Sequence, residues 1–187
     1  SGFNKNKVIG MAGALDSGRF RAFIAMETGY SVQDVTCMVL GGHGDSMVAM
    51  LDSTYINGKK ISEFVTEGKI TKERLNQLID RTKTGGAEIV KYLEKGSAFY
   101  APAASGVEMA ESYLKDLKKQ LPCASYLNGE YGLKDIYVGV PVIIGKNGVE
   151  KIVEISLTEK EKKDFKYSVD SVRELFNAAK KIDSSLA

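Results

Sequence analysis

The spacing of apolar positions predicts four helices along the chain. Apolar residues recur at helical intervals in four segments, which are residues 16–28, 71–94, 103–120 and 158–181. Asp16 and Ser17 are suitable N-cap residues for the first helix, and Gly29 is a plausible stop. The pair Gly85-Gly86 interrupts the second segment, so we expect a kink or two consecutive helices there.

Apolar runs of strand length occupy most of the remaining chain, at residues 7–13, 34–41, 47–58, 123–132, 134–145 and 148–155. Three Asn-Gly pairs favour tight hairpin turns, at positions 57–58, 128–129 and 147–148. Because the last three runs follow one another without a helix, they predict an antiparallel meander. The sequence therefore predicts an α+β fold, with long helices packed on an antiparallel meander sheet, and one domain over residues 1–187.

The composition is that of an ordinary globular protein, with 43% hydrophobic and 27% charged residues. The net charge of +2 is spread along the chain, so we expect no nucleic-acid partner. No apolar run approaches bilayer length, so we expect no membrane span. Cys37 and Cys123 lie in apolar stretches, which favours buried reduced thiols and a cytoplasmic location. The start at Ser1, without a signal-peptide layout, suggests a chain that begins in mid-protein.

The only histidine, His43, stands between glycines in the turn-like segment GGHGDS at residues 41–46. Flanking glycines let the backbone bend and allow a ligand to approach closely. Histidine is also the side chain whose ordinary pKa lies nearest to neutrality, which suits proton transfer. His43 is therefore a candidate acid–base group. The alternative is a solvent-exposed loop histidine, or one that caps a turn.

A second candidate cluster is the segment LDSGRFR at residues 15–21. Asp16 and Arg19 are three positions apart, so a helix would place them on neighbouring faces. A guanidinium can bind a substrate carboxylate through two parallel hydrogen bonds, and an aspartate can orient an imidazole and stabilise its charged form. The alternative is a helix N-cap at Asp16 and a surface arginine at position 19.

Other chemistries have less support in the sequence. One histidine without paired ligand spacing gives no expectation of a metal site. There is no GxSxG segment for a nucleophilic serine and no GxGxxG segment after a strand for a dinucleotide.

Taken together, LDSGRFR, the following strand and GGHGDS closely resemble the LDSxRFR and GxHGDS segments of the lactate/malate dehydrogenase family. The likeness continues through KTGGAEIV, KGSAFYAPA, the meander and the last helix, and covers essentially all 187 residues. The resemblance implies the fold of that family's C-terminal, substrate-binding domain. It also implies that His43 is the proton donor and acceptor, that Asp16 is its paired carboxylate, and that Arg19 binds the substrate's C1 carboxylate.

The resemblance further implies an NAD-dependent oxidoreductase that forms a homodimer or homotetramer in the bacterial cytoplasm. The family's N-terminal dinucleotide-binding domain and its mobile substrate loop have no counterpart in this sequence. We therefore expect NAD to bind mainly outside this chain, on an N-terminal partner domain. For the same reason, the 187-residue chain alone is expected to be inactive.

The substrate is expected to be a dicarboxylic acid, with (S)-malate oxidised reversibly to oxaloacetate as in the tricarboxylic acid cycle. The segment around Ala98 resembles the malate dehydrogenases of the lactate-dehydrogenase-like bacterial group, whereas lactate enzymes typically carry threonine there. A small residue at position 98 leaves room for a longer substrate, although Ala98 could equally serve packing alone. Two alternatives stay open, an L-lactate dehydrogenase and a non-catalytic oligomerisation fragment.

Overall fold

The computed structural model describes residues 2–186, which form five α-helices and two antiparallel sheets. The helices α1 to α5 span Ala12–Thr28, Ile61–Thr66, Lys72–Leu93, Tyr100–Leu114 and Glu159–Ile182. The strands β1 to β8 span Val35–Thr36, Val39–Gly41, Met47–Ala49, Tyr55–Ile56, Lys59–Lys60, Lys119–Asn128, Lys134–Gly145 and Gly148–Ile152.

The larger sheet has five strands in the order β3-β2-β7-β6, with β8 paired to β7 as well. Strands β6, β7 and β8 form the predicted antiparallel meander, and the long pair β6–β7 stays in register from Lys119 opposite Ile144 to Leu127 opposite Ile136. The smaller sheet has the order β1-β4-β5. The α+β fold with helices packed on an antiparallel sheet is thus confirmed.

Two groups of buried apolar side chains hold these layers together. The first joins β6 and β7 to α5 and includes Val140, Val142, Phe165 and Val169. The second joins α1 to α2 and α3 and includes Phe20, Ile24, Phe64, Leu75 and Leu78. Both groups remove large apolar surfaces from water, which is the main favourable term in folding. Helix α1 also contacts β6, so it lies against both layers.

The first helix begins earlier than its capping residues suggested. Helix α1 starts at Ala12, so Asp16 and Ser17 lie inside it, buried, and the N-cap prediction is wrong. The helix therefore starts four residues before the capping signal, and it packs on β6. The stop at Gly29 is confirmed, because this glycine caps the helix with a φ of 73°. The strand predicted at residues 7–13 is reduced to one bridge, between Gly10 and Ala124.

The glycine pair in α3 does not break the helix. Helix α3 is continuous over Lys72–Leu93, so the predicted kink at Gly85-Gly86 is wrong. Glycine weakens a helix but, unlike proline, removes no hydrogen bond from it. The apolar side of α3 is also shorter than predicted, since Leu75 and Leu78 are buried while Ile89, Val90 and Leu93 are largely exposed.

The helix predicted over residues 103–120 is displaced towards the N-terminus. Helix α4 ends at Leu114, and Lys119 already belongs to β6. Asp116 and Lys118 have positive φ values of 50° and 54°, which ends the helix, and pairing with β7 takes the following residues into the sheet.

The turn predictions at Asn-Gly pairs hold in one case and need correction in two. Asn57-Gly58 links β4 to β5 directly, with both residues at positive φ, as a tight hairpin requires. The link between β7 and β8 is Lys146-Asn147, one position earlier than predicted, because Gly148 pairs with Gly145. Residues 129–133 form a longer link after Asn128.

The single strand predicted over residues 34–41 is two short strands in different sheets. Strand β1 pairs with β4, whereas β2 pairs with β3 and β7. The last helix agrees with its prediction, since Thr158 caps α5 in a capping box with Glu161.

Candidate active site

Helix α1 carries two of the predicted site residues on adjacent turns. Asp16 and Arg19 are three residues apart, and Nη1 of Arg19 lies 3.9 Å from Oδ1 of Asp16. Both are withdrawn from solvent, with side-chain exposures of 1% for Asp16 and 9% for Arg19. A carboxylate and a guanidinium buried side by side are costly to desolvate and are seldom kept for stability alone.

The buried Ser17 connects α1 to β2, the strand that leads to His43. The hydroxyl of Ser17 accepts a hydrogen bond from the backbone N–H of Val39 at 2.9 Å. Because β2 runs from Val39 to Gly41 and His43 follows two residues later, this bond fixes the histidine's turn relative to Asp16.

The turn at residues 41–44 is built by close packing around glycines. Gly41 has a φ of +87°, and a Cβ there would lie 2.2 Å from Oγ of Ser168. A Cβ at Gly139, the partner of Gly41 on β7, would lie 2.6 Å from the Gly41 carbonyl oxygen. Ser168, on α5, accepts a hydrogen bond from the N–H of Gly42 at 2.7 Å. Helix α5 and β7 therefore hold the backbone that presents His43.

The His43 imidazole contacts Asp16 across these elements. Nδ1 of His43 lies 2.8 Å from Oδ2 of Asp16. Because an ionised carboxylate only accepts hydrogen bonds, Nδ1 carries the proton and Nε2 is the ring nitrogen left free for other chemistry. The His43 side chain is 52% exposed, so Nε2 is open to a ligand.

The hydrogen bond from Nδ1 to Asp16 raises the pKa of His43 above its ordinary value. Partial burial of the ring opposes this effect, the negative charge of Asp16 adds to it, and the positive charge of Arg19 reduces it. Asp16 thus both selects the tautomer of His43 and stabilises its charged form.

The Arg19 side chain is largely withdrawn from solvent and has unused hydrogen-bonding capacity. Its Nη1 lies beyond hydrogen-bond distance of Asp16, at 3.9 Å. Within residues 2–186, the buried Nε of Arg19 and Oδ1 of Asp16 have no hydrogen-bond partner. Buried polar atoms are nearly always paired, so these two atoms are suited to bind a ligand or a water molecule. A guanidinium in this position can bind a carboxylate through two parallel hydrogen bonds.

The structure thus brings together His43, Asp16 and Arg19, the three site residues singled out from the sequence motifs. Ala98 lies half-buried in the loop between α3 and α4. In the described part of the chain, no hydrogen bond or salt bridge joins that loop to the other three residues.

Sequence reasoning missed three contributors to the site. They are Ser17, Ser168 and the Gly85-Gly86 pair, which lies against the Arg19 side chain. Ser17 stands beside Asp16 in the motif, which is a weak signal. Ser168 carries no local signal at all, because its partner Gly42 is 126 positions away.

Burial raises the pKa of the Cys37 and Cys123 thiols to about 12, which keeps both in the unreactive protonated form. Neither cysteine forms a disulfide within residues 2–186. The same residues contain no group of three or more acidic, histidine or cysteine side chains able to hold a metal ion. None of the described helices is long and apolar enough to cross a membrane.

Comparison with known proteins gives consistent matches. Residues 13–183 match the family model for the α/β C-terminal domain of lactate/malate dehydrogenase. A malate dehydrogenase from Pelagibacter ubique (strain HTCC1062) is 60% identical over all 187 residues, which correspond to 58% of that protein's length. The chain therefore spans somewhat more than half of this curated relative.

Two solved structures share the fold. The malate dehydrogenase of Cryptosporidium parvum is 48% identical with a TM-score of 0.94, covering 96% of this chain and 57% of that one. The lactate dehydrogenase of the same organism was solved in complex with lactic acid and nicotinamide adenine dinucleotide. It is 47% identical with a TM-score of 0.90, and the match covers 92% of this chain and 55% of that one. The chain therefore belongs to the lactate/malate dehydrogenase family, and residues 13–183 correspond to its α/β C-terminal domain.

Proposed function

We propose that residues 1–187 form the catalytic, substrate-binding domain of an NAD-dependent malate dehydrogenase, which interconverts (S)-malate and oxaloacetate. The observation that carries this proposal is the 2.8 Å contact between Nδ1 of His43 and the buried carboxylate of Asp16, with Arg19 alongside. The 60% identity to a malate dehydrogenase supports the choice of reaction.

His43 would move the proton. In the oxidation direction, neutral Nε2 accepts the proton of the substrate hydroxyl, and the imidazolium that results is stabilised by Asp16. In the reduction direction, protonated Nε2 returns that proton to the carbonyl oxygen. The half-exposed ring, held through Nδ1, leaves Nε2 accessible for both steps.

Arg19 would bind the substrate's C1 carboxylate. Its low exposure and its unpartnered Nε support this role, because an anionic ligand offers the missing acceptor in a poorly solvated site. Two parallel hydrogen bonds would also fix the orientation of the reacting carbon relative to His43. We further propose that Ala98, small and half-buried, leaves room for the second carboxylate of malate.

The turn that carries His43 is not suited to hold the diphosphate of the coenzyme. The glycines at positions 41 and 42 do not form a phosphate cradle, since Ser168 and Ser46 already fill the space that their missing side chains leave. When bound, NAD would accept or donate the hydride. A separate N-terminal domain would hold it, in keeping with a chain that spans 58% of its relative.

We also propose that an N-terminal domain and further subunits of a homo-oligomer cover the apolar side chains exposed on α3 and α4. Tyr92, Tyr100 and Leu114 are 78%, 82% and 78% exposed. Side chains of this size in neighbouring elements are typical of contact surfaces.

An L-lactate dehydrogenase is the second candidate, favoured by the 47% identity to the lactate dehydrogenase of Cryptosporidium parvum. The test is a chimera in which this chain replaces the matching segment of the Pelagibacter ubique malate dehydrogenase. Steady-state kinetics would then compare oxaloacetate with pyruvate. We expect a preference for oxaloacetate, and a preference for pyruvate would support the alternative.

In this chimera, we expect His43→Asn to lower kcat by about 10²–10⁴-fold, the usual contribution of general acid–base catalysis. Arg21→Lys is the control, because Arg21 is exposed and takes no part in the Asp16 contacts. The 187-residue chain alone should show no turnover. A near-normal rate of His43→Asn, or robust turnover by the isolated chain, would refute the proposal.

A further inference from the structure

Gly85 and Gly86 lie in the interior of α3, where glycine is unfavourable. Each lowers the helical equilibrium about five-fold relative to alanine. Neither is among the glycines with positive φ in residues 2–186, and α3 is continuous through both. The pair therefore does not serve backbone flexibility, and what distinguishes these positions is the missing side chain.

The space that those side chains would occupy is taken by Arg19. A Cβ added at Gly85 would lie 3.2 Å from Cδ of Arg19 and 3.4 Å from its Nε. A Cβ added at Gly86 would lie 3.6 Å from Nη2 of Arg19 and 3.7 Å from its Nη1. The nearest atoms at both positions, apart from the backbone of α3 itself, thus belong to one arginine of α1.

Arg19 has few other restraints within the described residues. In residues 2–186, its only ion pair is the 3.9 Å approach to Asp16, and its buried Nε has no hydrogen-bond partner. Contact with α3 is therefore the main restraint on the direction of the guanidinium. We propose that Gly85 and Gly86 form a seat free of side chains that orients the Arg19 guanidinium, and that Gly85, the closer of the two, is a positioning residue for carboxylate binding. The last part rests on the function proposed above.

The distances predict a graded effect at the two positions. Gly85→Ala places its Cβ closer to Arg19 than an unstrained contact allows, so the arginine shifts by a few tenths of an ångström. Gly86→Ala makes only ordinary van der Waals contact and is tolerated. Gly106 is the matched control, because it lies inside α4 with no atom within 4 Å of an added Cβ.

The first test is chemical unfolding of the 187-residue chain. Gly106→Ala should raise the folding equilibrium constant about five-fold through helix propensity, and Gly86→Ala should retain most of that gain. Gly85→Ala should show no such gain over the wild type. In the Arg19→Ala background, adding Gly85→Ala should show the gain when compared with Arg19→Ala alone. If Gly85→Ala does not fold, folding of the double variant supports the seat. Equal stabilisation by Gly85→Ala and Gly106→Ala, or an unfolded double variant, would overturn it.

The second test measures steady-state kinetics in the chimera. Gly85→Ala should raise KM for oxaloacetate about ten-fold with kcat changed less than about three-fold, as expected for weakened binding of a non-reacting group. Gly106→Ala should leave both constants unchanged. A KM unchanged by Gly85→Ala would overturn the link to substrate. An inactive parent chimera would count against the proposed function alone, since the unfolding experiment involves neither substrate nor coenzyme.

Discussion

The hydroxyl of Ser168 connects α5 to the turn that carries His43, and its removal gives a quantitative prediction. Ser168 is fully buried, and its Oγ accepts a hydrogen bond from the N–H of Gly42 at 2.7 Å. Ser168→Ala leaves that N–H without its partner while changing little else in shape. The substitution therefore isolates one hydrogen bond between elements 126 positions apart.

The expected effect is the difference between two opposing contributions. Leaving a buried donor unpaired costs about 1–3 kcal/mol. Alanine is the better helix former, which returns about 0.5 kcal/mol. We therefore expect the free energy of unfolding to fall by about 0.5–2.5 kcal/mol, equivalent to about 1–10 °C in Tm for a chain of this size.

The assay is urea unfolding of the 187-residue chain, followed by far-UV circular dichroism. Ser171→Ala is the control, because Ser171 lies in the same helix and its hydroxyl, among the described residues, bonds only to the Tyr167 carbonyl one turn earlier. Ser168→Ala should lower the urea midpoint, whereas the control should leave it unchanged or raise it slightly. Equal midpoints for the two variants would show that the Gly42 bond does not stabilise the turn.

Two further predictions concern the charge pair and the core. Asp16→Asn should lower the pKa of His43, since Asp16 is what raises it. The single histidine resonance reports this shift by NMR titration, with Asp45→Asn as control. In the active chimera, reduction requires protonated His43, so its rate should decline at a lower pH in Asp16→Asn than in the wild type. Oxidation requires neutral His43, so it should persist to a lower pH. An unchanged His43 titration would contradict the role of Asp16. Phe20 is fully buried, so Phe20→Ala should lower the free energy of unfolding in urea by about 3–5 kcal/mol. Phe176 is 46% exposed, so Phe176→Ala should lower it by less than about 1 kcal/mol. Equal losses would argue against the described core.

Several elements could be predicted because their causes are local. Thr158 and Glu161 form a capping box within four residues, so the start of α5 follows from the sequence. The Asn57-Gly58 hairpin likewise follows from the tolerance of these two residues for positive φ. Residues 103–120 could not be divided in this way, because pairing with β7, rather than helical periodicity, determines where β6 begins.

The candidate site shows the same division between local and distant causes. The motifs by themselves indicated His43, Asp16 and Arg19 as chemical groups suited to proton transfer and carboxylate binding. Only the tertiary structure decided that Nδ1 of His43 contacts Asp16, and that Ser168 and the Gly85-Gly86 pair hold the turn and the arginine in place. The physical reason is that residue type and spacing determine propensity and chemistry, whereas hydrogen bonds and steric fit between distant segments exist only once the layers have packed.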